Sequence, residues 1–352
     1  MELDNKQKEI IESNYPKTIV VAGSGSGKTK VLTEKIRYII NNGINPKDIV
    51  AITFTNIAAE EMRDRLGKIA EDCFIGTIHS YANKLLLMNG FDTNKFIHEE
   101  KFDKFFTEVK KHPEVIEPVN YLLIDEYQDI DQFQYQFFEM INAKHFFAVG
   151  DDWQNIYEWR GSKVIYFKNL VRNPNFKVFK MGNNYRSGEN IVRFGMSFLR
   201  SVEDKIQKNI SCQNPEKGIV EEINYNSSFI IKEIQKEKNY GKWFILVRKN
   251  AQGEQIMTDL KRNNIPFDSF KKSNFTNAEI KAKLKENTVK VLTVHSAKGL
   301  ENDNIIVIGV HPYTDEEKRV AYVAATRAKK RLIWCYEKMP SWKNKQQIYN
   351  WE

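Results

Sequence analysis

The sequence has no apolar run approaching the ~18 residues that cross a bilayer, so a helical membrane protein is not expected. Only three cysteines occur, Cys73, Cys212 and Cys335, far apart. They offer neither a disulfide framework nor a zinc knuckle, and they fit a reducing cytosol. The opening residues, MELDNKQKEIIES, mix acids and bases and lack the apolar stretch of a signal peptide. No internal repeat, low-complexity linker, nuclease-type carboxylate cluster, glycosylase pocket or metal-ligand cysteine pair stands out. What is left is a cytoplasmic globular protein, and 352 residues suffice for two α/β domains with proper cores.

Charge is unevenly placed. Residues 1–182 carry 24 Lys and Arg against 26 Asp and Glu, whereas residues 183–352 carry 30 against 20. The whole basic excess of +8 therefore lies in the second half. It reads either as a solvated lysine-rich surface or as an electrostatic footprint for nucleic acid.

Short apolar runs alternate with helical patterns throughout. Strands are expected at 18–22, 49–54, 74–76, 121–125 and 146–149, then at 219–223, 243–247, 289–293 and 305–310. Amphipathic stretches such as 28–41 and 252–264 lie between them. This alternation predicts parallel sheets covered by helices. A second strand–helix series begins near 219 without a glycine loop of its own, so two α/β domains joined near 181–185 are expected. The lysine-rich stretch 271–286 reads as a surface connection, helical at its end.

The stretch TIVVAGSGSGKTK reads as strand, glycine loop and helix. In such a loop backbone N–H groups and a helix N-terminus surround phosphates. Gly23, Gly25 and Gly27 let the backbone curl closely. Lys28 would reach the β and γ phosphates, and Thr29 would hold Mg²⁺. The strict pattern begins with glycine, where this sequence has Ala22. A hydrolysis site also needs acids at a strand end, and YLLIDEYQD supplies them. Asp125 would bind Mg²⁺, and Glu126 would orient or deprotonate the attacking water. A third apolar run, HFFAV, precedes GDDWQNIYEWRG. There Gln154 is placed to sense the γ-phosphate, and the polar neighbours of Trp153, Tyr157 and Trp159 suggest that at least one of these rings is exposed.

The order of these motifs resembles that of the UvrD/Rep/PcrA-like superfamily 1 DNA helicases, nearly end to end. LDNKQ resembles the family's adenine-reading motif, with Gln7 as reader. AGSGSGKT resembles its first motif, which commonly begins with alanine. AITFTNIAAEEM, GTIHSYA, DEYQD, GDDWQNIYEWRGS, NYRS, TVHSAKGLE and YVAATRAKKRL follow in family order. The resemblance implies two RecA-like P-loop domains, 1–182 and 183–352, that clamp ATP and Mg²⁺. Ala22, Gly23, Ser24, Gly25, Ser26, Gly27, Lys28 and Thr29 would form the phosphate cradle. Lys30, where many relatives carry arginine, would face the base, against which lysine stacks less well. Tyr185 would stack on adenine and Glu301 contact ribose. Arg186 and Arg327 would act as arginine fingers, a contribution typically worth ~10³–10⁵ in rate. Phe54, Thr55, His79, Trp159, His295 and Ser296 would line a single-stranded DNA track, although His79 and His295 also fit hydrogen-bonded core positions.

Two departures stand out. Relatives carry one inserted subdomain between GTIHS and DEYQD, where this chain has a short insertion near 81–120, room for helices such as 81–88 and 101–110. They carry another before TVHSAKG, a full helical domain that this sequence lacks. The long C-terminal tail of some relatives is also expected to be missing. The resemblance thus implies a nearly bare motor: an ATP-dependent single-stranded DNA translocase and helicase moving 3′ to 5′, acting on single strands and tailed duplexes. The alternative is an ATP-gated DNA-binding subunit of a larger repair, replication or defence complex, unwinding poorly without a loading or accessory protein. Heavy use of lysine, asparagine and isoleucine suits an AT-rich genome, and a bacterial, phage or mobile-element context is expected.

Overall fold

The computed structural model describes residues 2–98, 102–269, 276–338 and 347–348. By contact the chain falls into two units. The first comprises Met1–Gly23, Gly27–Gly182 and Ile206–Lys208; the second comprises Ser24–Ser26, Asn183–Lys205 and Asn209–Glu352. Among the described residues no helix is long and apolar enough to cross a membrane.

The first unit is built on a parallel sheet of β1 (Lys17–Ala22), β2 (Ile49–Thr53), β3 (Phe74–Thr77), β4 (Val119–Ile124), β5 (Ala143–Gly150) and β6 (Lys177–Met181). Their order is β3-β2-β4-β5-β1-β6. Period-2 alternation along β1 sends Ile19 and Val21 into one apolar cluster and Val20 and Ala22 into another. Both faces of the sheet are therefore buried, which explains why these strands read as continuous apolar runs. The helix Lys28–Asn41 covers one face with Val31, Leu32, Ile36 and Ile39. Because every strand points the same way, the loops after β1, β2, β3, β4 and β5 share one edge, where ligand sites of parallel sheets form.

Among the described residues between β3 and β4 the chain forms the α-helices Ile78–Met88, Asn94–His98 and Asp103–Lys111. The expected helix at 101–110 begins with Lys101, which lies outside the described residues, and is seen from Asp103.

In the second unit β7 (Asn183–Asn184) and β8 (Ser211–Cys212) form a small parallel ladder. The main sheet comprises β9 (Ile219–Asn224), β10 (Trp243–Val247), β11 (Phe267–Ser269), β12 (Val289–Thr293), β13 (Asn302–Ile308), β14 (Ala328–Tyr336) and β15 (Gln347–Ile348). Its order is β11-β12-β10-β13-β14-β9-β15, with β15 alone antiparallel. One face is closed by Ile230, Ile234, Ile256 and Leu260 from helices Ser227–Gln235 and Asn250–Arg262. The helix Asn277–Lys285 connects β11 to β12. The first residues of the expected 271–286 connection, 271–275, lie outside the described residues.

Candidate nucleotide site and nucleic-acid face

In the first unit β1 ends at Ala22, and the Gly23 N–H donates to Met181 O at 2.9 Å. Gly27 has φ +83°, a left-handed conformation that L side chains rarely adopt. A Cβ on Gly27 would sit 3.0 Å from Gln7 Nε2, a tight contact with the end of that side chain. Gly27 gives the helix Lys28–Asn41 no side-chain cap, and its first-turn N–H groups and dipole favour an anion. Gln7 is buried and closes a capping box: its N–H donates to Asp4 Oδ1 at 2.7 Å, and its Oε1 accepts from Asp4 N–H at 3.1 Å. Lys35 ties that N-terminal helix to the loop's helix by donating to Ile11 O at 2.8 Å and to Ser13 O.

Thr29, in the first turn after the loop, donates its hydroxyl to Asp125 Oδ2 at 2.9 Å. Burial and the neighbouring Glu126 push the Asp125 carboxyl up to about 6, against the pull of Lys28 and the Thr29 hydrogen bond. Glu126 holds a left-handed backbone, φ +53°, uncommon for any residue but glycine. Its carboxylate accepts from Gln128 Nε2 at 2.5 Å. Gln128 is fully buried, and its Oε1 accepts from Asp151 N–H at 2.9 Å. Asp151 Oδ2 accepts from Gln154 Nε2 at 2.6 Å, and its Oδ1 pairs with Lys208. Gln128 and Lys208 are functional candidates that the sequence reading passes over. Gln128 could have been singled out only by its place inside DEYQD, and Lys208 has no local signal.

The residues expected on a DNA track are placed as follows. Phe54 stacks on the Tyr157 ring, centroids 5.1 Å apart and 25° between planes. Thr55 caps the next helix by accepting from Ala58 N–H at 3.2 Å. Trp159 is 60% exposed, with Arg160 over its ring, whereas Trp153 and Tyr157 are buried. His79 packs its ring 4.9 Å from that of Phe106 and lies 3.9 Å from Asp103. Burial lowers its pKa, and the carboxylates of Asp103 and Asp131 pull the other way without reversing it.

Within the second unit, Ser24 at the tip of the glycine loop gathers several side chains. Arg327 is buried; its guanidinium reaches Ser24 Oγ at 3.3 Å and is aimed by Val323 O at 3.0 Å. Arg186 also reaches Ser24 Oγ at 3.3 Å and pairs with Glu301. Asn184 Nδ2 donates to Ser24 O at 2.6 Å, and the Tyr185 N–H donates to Gly25 O at 3.0 Å. Burial raises the Glu301 carboxyl, but Arg186 and Lys329 outweigh it and leave the pKa lowered. Ser296 N–H donates to Thr293 Oγ1 at 3.1 Å in the turn after β12, with His295 beside it.

Residues 3–114 and 101–175 match the UvrD/REP helicase N-terminal domain, and residues 179–285 and 270–339 match the UvrD-like helicase C-terminal domain. The chain belongs to the UvrD/Rep helicase family. It is 28% identical over 384 residues to the ATP-dependent DNA helicase Rep of Buchnera aphidicola subsp. Schizaphis graminum, covering 80% of this chain and 58% of that protein. It is 26% identical over 452 residues to a probable DNA helicase of Mycoplasma pneumoniae, covering 94% and 82% respectively. With the ATP-dependent DNA helicase PcrA of Leuconostoc citreum it shares 25% over 371 residues, covering 75% and 49%. The UvrD-family match thus spans less than two thirds of the Rep and PcrA relatives.

Proposed function

We propose that this chain is an ATP-dependent motor on single-stranded DNA, a translocase that separates tailed duplexes in the 3′-to-5′ sense. The observation that carries this reading is the Thr29–Asp125 pair at 2.9 Å, with Lys28 and Glu126 adjacent in sequence to its two members. A hydroxyl and a buried carboxylate are hard oxygen donors that suit Mg²⁺. When bound, Mg²⁺ would neutralise charge on the β and γ phosphates. Lys28 and the loop N–H groups bind the phosphates. Glu126, held by Gln128, takes the proton of the attacking water, and Gln154 senses the γ-phosphate. Arg186 and Arg327 stabilise the charge that develops in phosphoryl transfer. Gln7, Lys30 and Tyr185 hold the base, and Glu301 the ribose.

Phe54, Thr55, His79, Trp159, His295 and Ser296 grip the strand, where stacking tolerates any base sequence. The short connection between β11 and β12 favours a second reading, an ATP-gated subunit that relies on a loading partner for strand separation. ATP hydrolysis with and without single-stranded DNA, for the wild type and Lys28→Ala, tests the proposal. DNA-stimulated turnover abolished by the substitution is expected; turnover that Lys28→Ala leaves unchanged overturns it. Stimulation without separation of a 3′-tailed duplex selects the second reading.

A further inference from the structure

Residues Ile206–Lys208 belong by contact to the first unit, although the residues on either side of them belong to the second. This three-residue strap is stitched to the loop after β5 and to β6. Ile206 N–H donates to Asp152 Oδ2 at 2.7 Å, Trp153 Nε1–H donates to Ile206 O at 3.0 Å, and Lys180 Nζ donates to Gln207 O at 3.0 Å. At its end the Lys208 ammonium is enclosed. It pairs with Asp151 and, at 2.7 Å, with Asp152 Oδ1, both carboxylates being buried. It lies 4.3 Å from the centroid of the Trp153 ring and 3.5 Å from Ala22 O, the last residue of β1.

Removing two carboxylates and an ammonium from water costs several kcal/mol per ion, so a buried cluster of this kind is weak evidence for a purely stabilising role. What the cluster does fix is Asp151. With Oδ1 held by Lys208 and by Trp153 N–H at 3.1 Å, Asp151 presents Oδ2 to Gln154. Its N–H meanwhile orients the Gln128 amide, whose other end holds Glu126.

The geometry points to Lys208 as a positioning residue for hydrolysis: through Asp151 it sets Gln154 on one side and, by way of Gln128, the Glu126 carboxylate on the other. This rests on the reading of Asp125 and Glu126 as an ATP-hydrolysing site. A purely structural clip would change stability and leave turnover per folded molecule intact.

The test uses the full chain with saturating single-stranded DNA, measuring kcat and KM for ATP beside thermal unfolding. Lys208→Met is combined with Asp152→Asn, so that one of the two carboxylates losing its partner becomes neutral while Asp151 itself is unchanged and loses only the ammonium that aims it. Misplacing a catalytic group by about 1 Å costs roughly 10²-fold, so kcat is expected to fall ~10–100-fold with KM within about threefold. Lys208→Arg keeps the charge but moves it, and an intermediate fall in kcat at unchanged KM is expected; it also serves if the double variant does not fold. Wild-type kcat in either folded variant, or a loss confined to KM, overturns the proposal. Wild-type protein without ATPase activity would instead overturn the reading on which it rests, and Lys28→Ala supplies the zero.

Discussion

Gln128→Leu removes the link between the acidic strand end and the loop after β5 while keeping similar volume. The side chain is fully buried. It donates to Glu126 at 2.5 Å and to Asp129 Oδ2 at 3.1 Å, and accepts from Asp151 N–H at 2.9 Å. Leucine leaves the Asp151 N–H without this acceptor, and a buried unmet donor costs about 1–3 kcal/mol. With the lost bonds to two carboxylates the total is on the order of 3 kcal/mol, inside the ~5–15 kcal/mol of a typical domain, so the variant stays folded at 25 °C. The effect on rate is larger. A general base contributes roughly 10²–10⁴-fold, and a misaimed one loses much of that, so kcat for DNA-stimulated ATP hydrolysis should drop about 10²-fold. KM for ATP should stay near the wild-type value, because the groups proposed to bind the phosphates sit on the glycine loop. Glu126→Gln sets the floor, and adding Gln128→Leu to it should cost little more, as expected for residues acting in series. Wild-type kcat accompanied by a lowered melting temperature would refute this reasoning and leave Gln128 with packing alone.

Trp159→Ala should weaken single-stranded DNA binding about 10–100-fold, the worth of one lost stacking platform, with no shift in melting temperature because the ring is exposed; equal affinities by fluorescence anisotropy would remove Trp159 from the track. Gly150→Ala should destabilise by ~1–3 kcal/mol and lower kcat together, since its Cβ would lie 2.8 Å from Phe167 Cε2 and 2.9 Å from Gln128 Oε1; denaturant unfolding beside the ATPase assay checks both effects. Burial lowers Lys35 from 10.5 to about 8, so between those values the unfolded chain binds more protons and stability rises with pH. The wild type should therefore gain stability relative to Lys35→Met from pH 8 to 10, and a flat difference in unfolding free energy across that range contradicts the burial argument.

The central strands of the first sheet are legible because they are buried on both faces and read as apolar runs, as TIVV before the glycine loop and YLLI before Asp125 illustrate. β6 is harder to see: KVFKM carries two lysines among five residues and is buried only at Phe179 and Met181. β14 opens on AKKR, inside the YVAATRAKKRL motif and without an apolar run, and becomes a strand through its pairing with β13 and β9. The surroundings of His79 come from Phe102, Asp103 and Phe106, more than twenty residues further on, so its ring contacts have no local signature. Lys208 shows the limit most clearly. SVEDKIQKNI is a polar run that predicts solvated lysines, and only the return of three residues to the first unit buries one of them between two aspartates.

The most direct test of the central claim is the ATPase rate on single-stranded DNA of increasing length. A motor that moves along its track should turn over faster as the strand lengthens and then level off, because longer strands postpone dissociation at the end. A rate stimulated equally by short and long strands, or not stimulated at all, would contradict translocation.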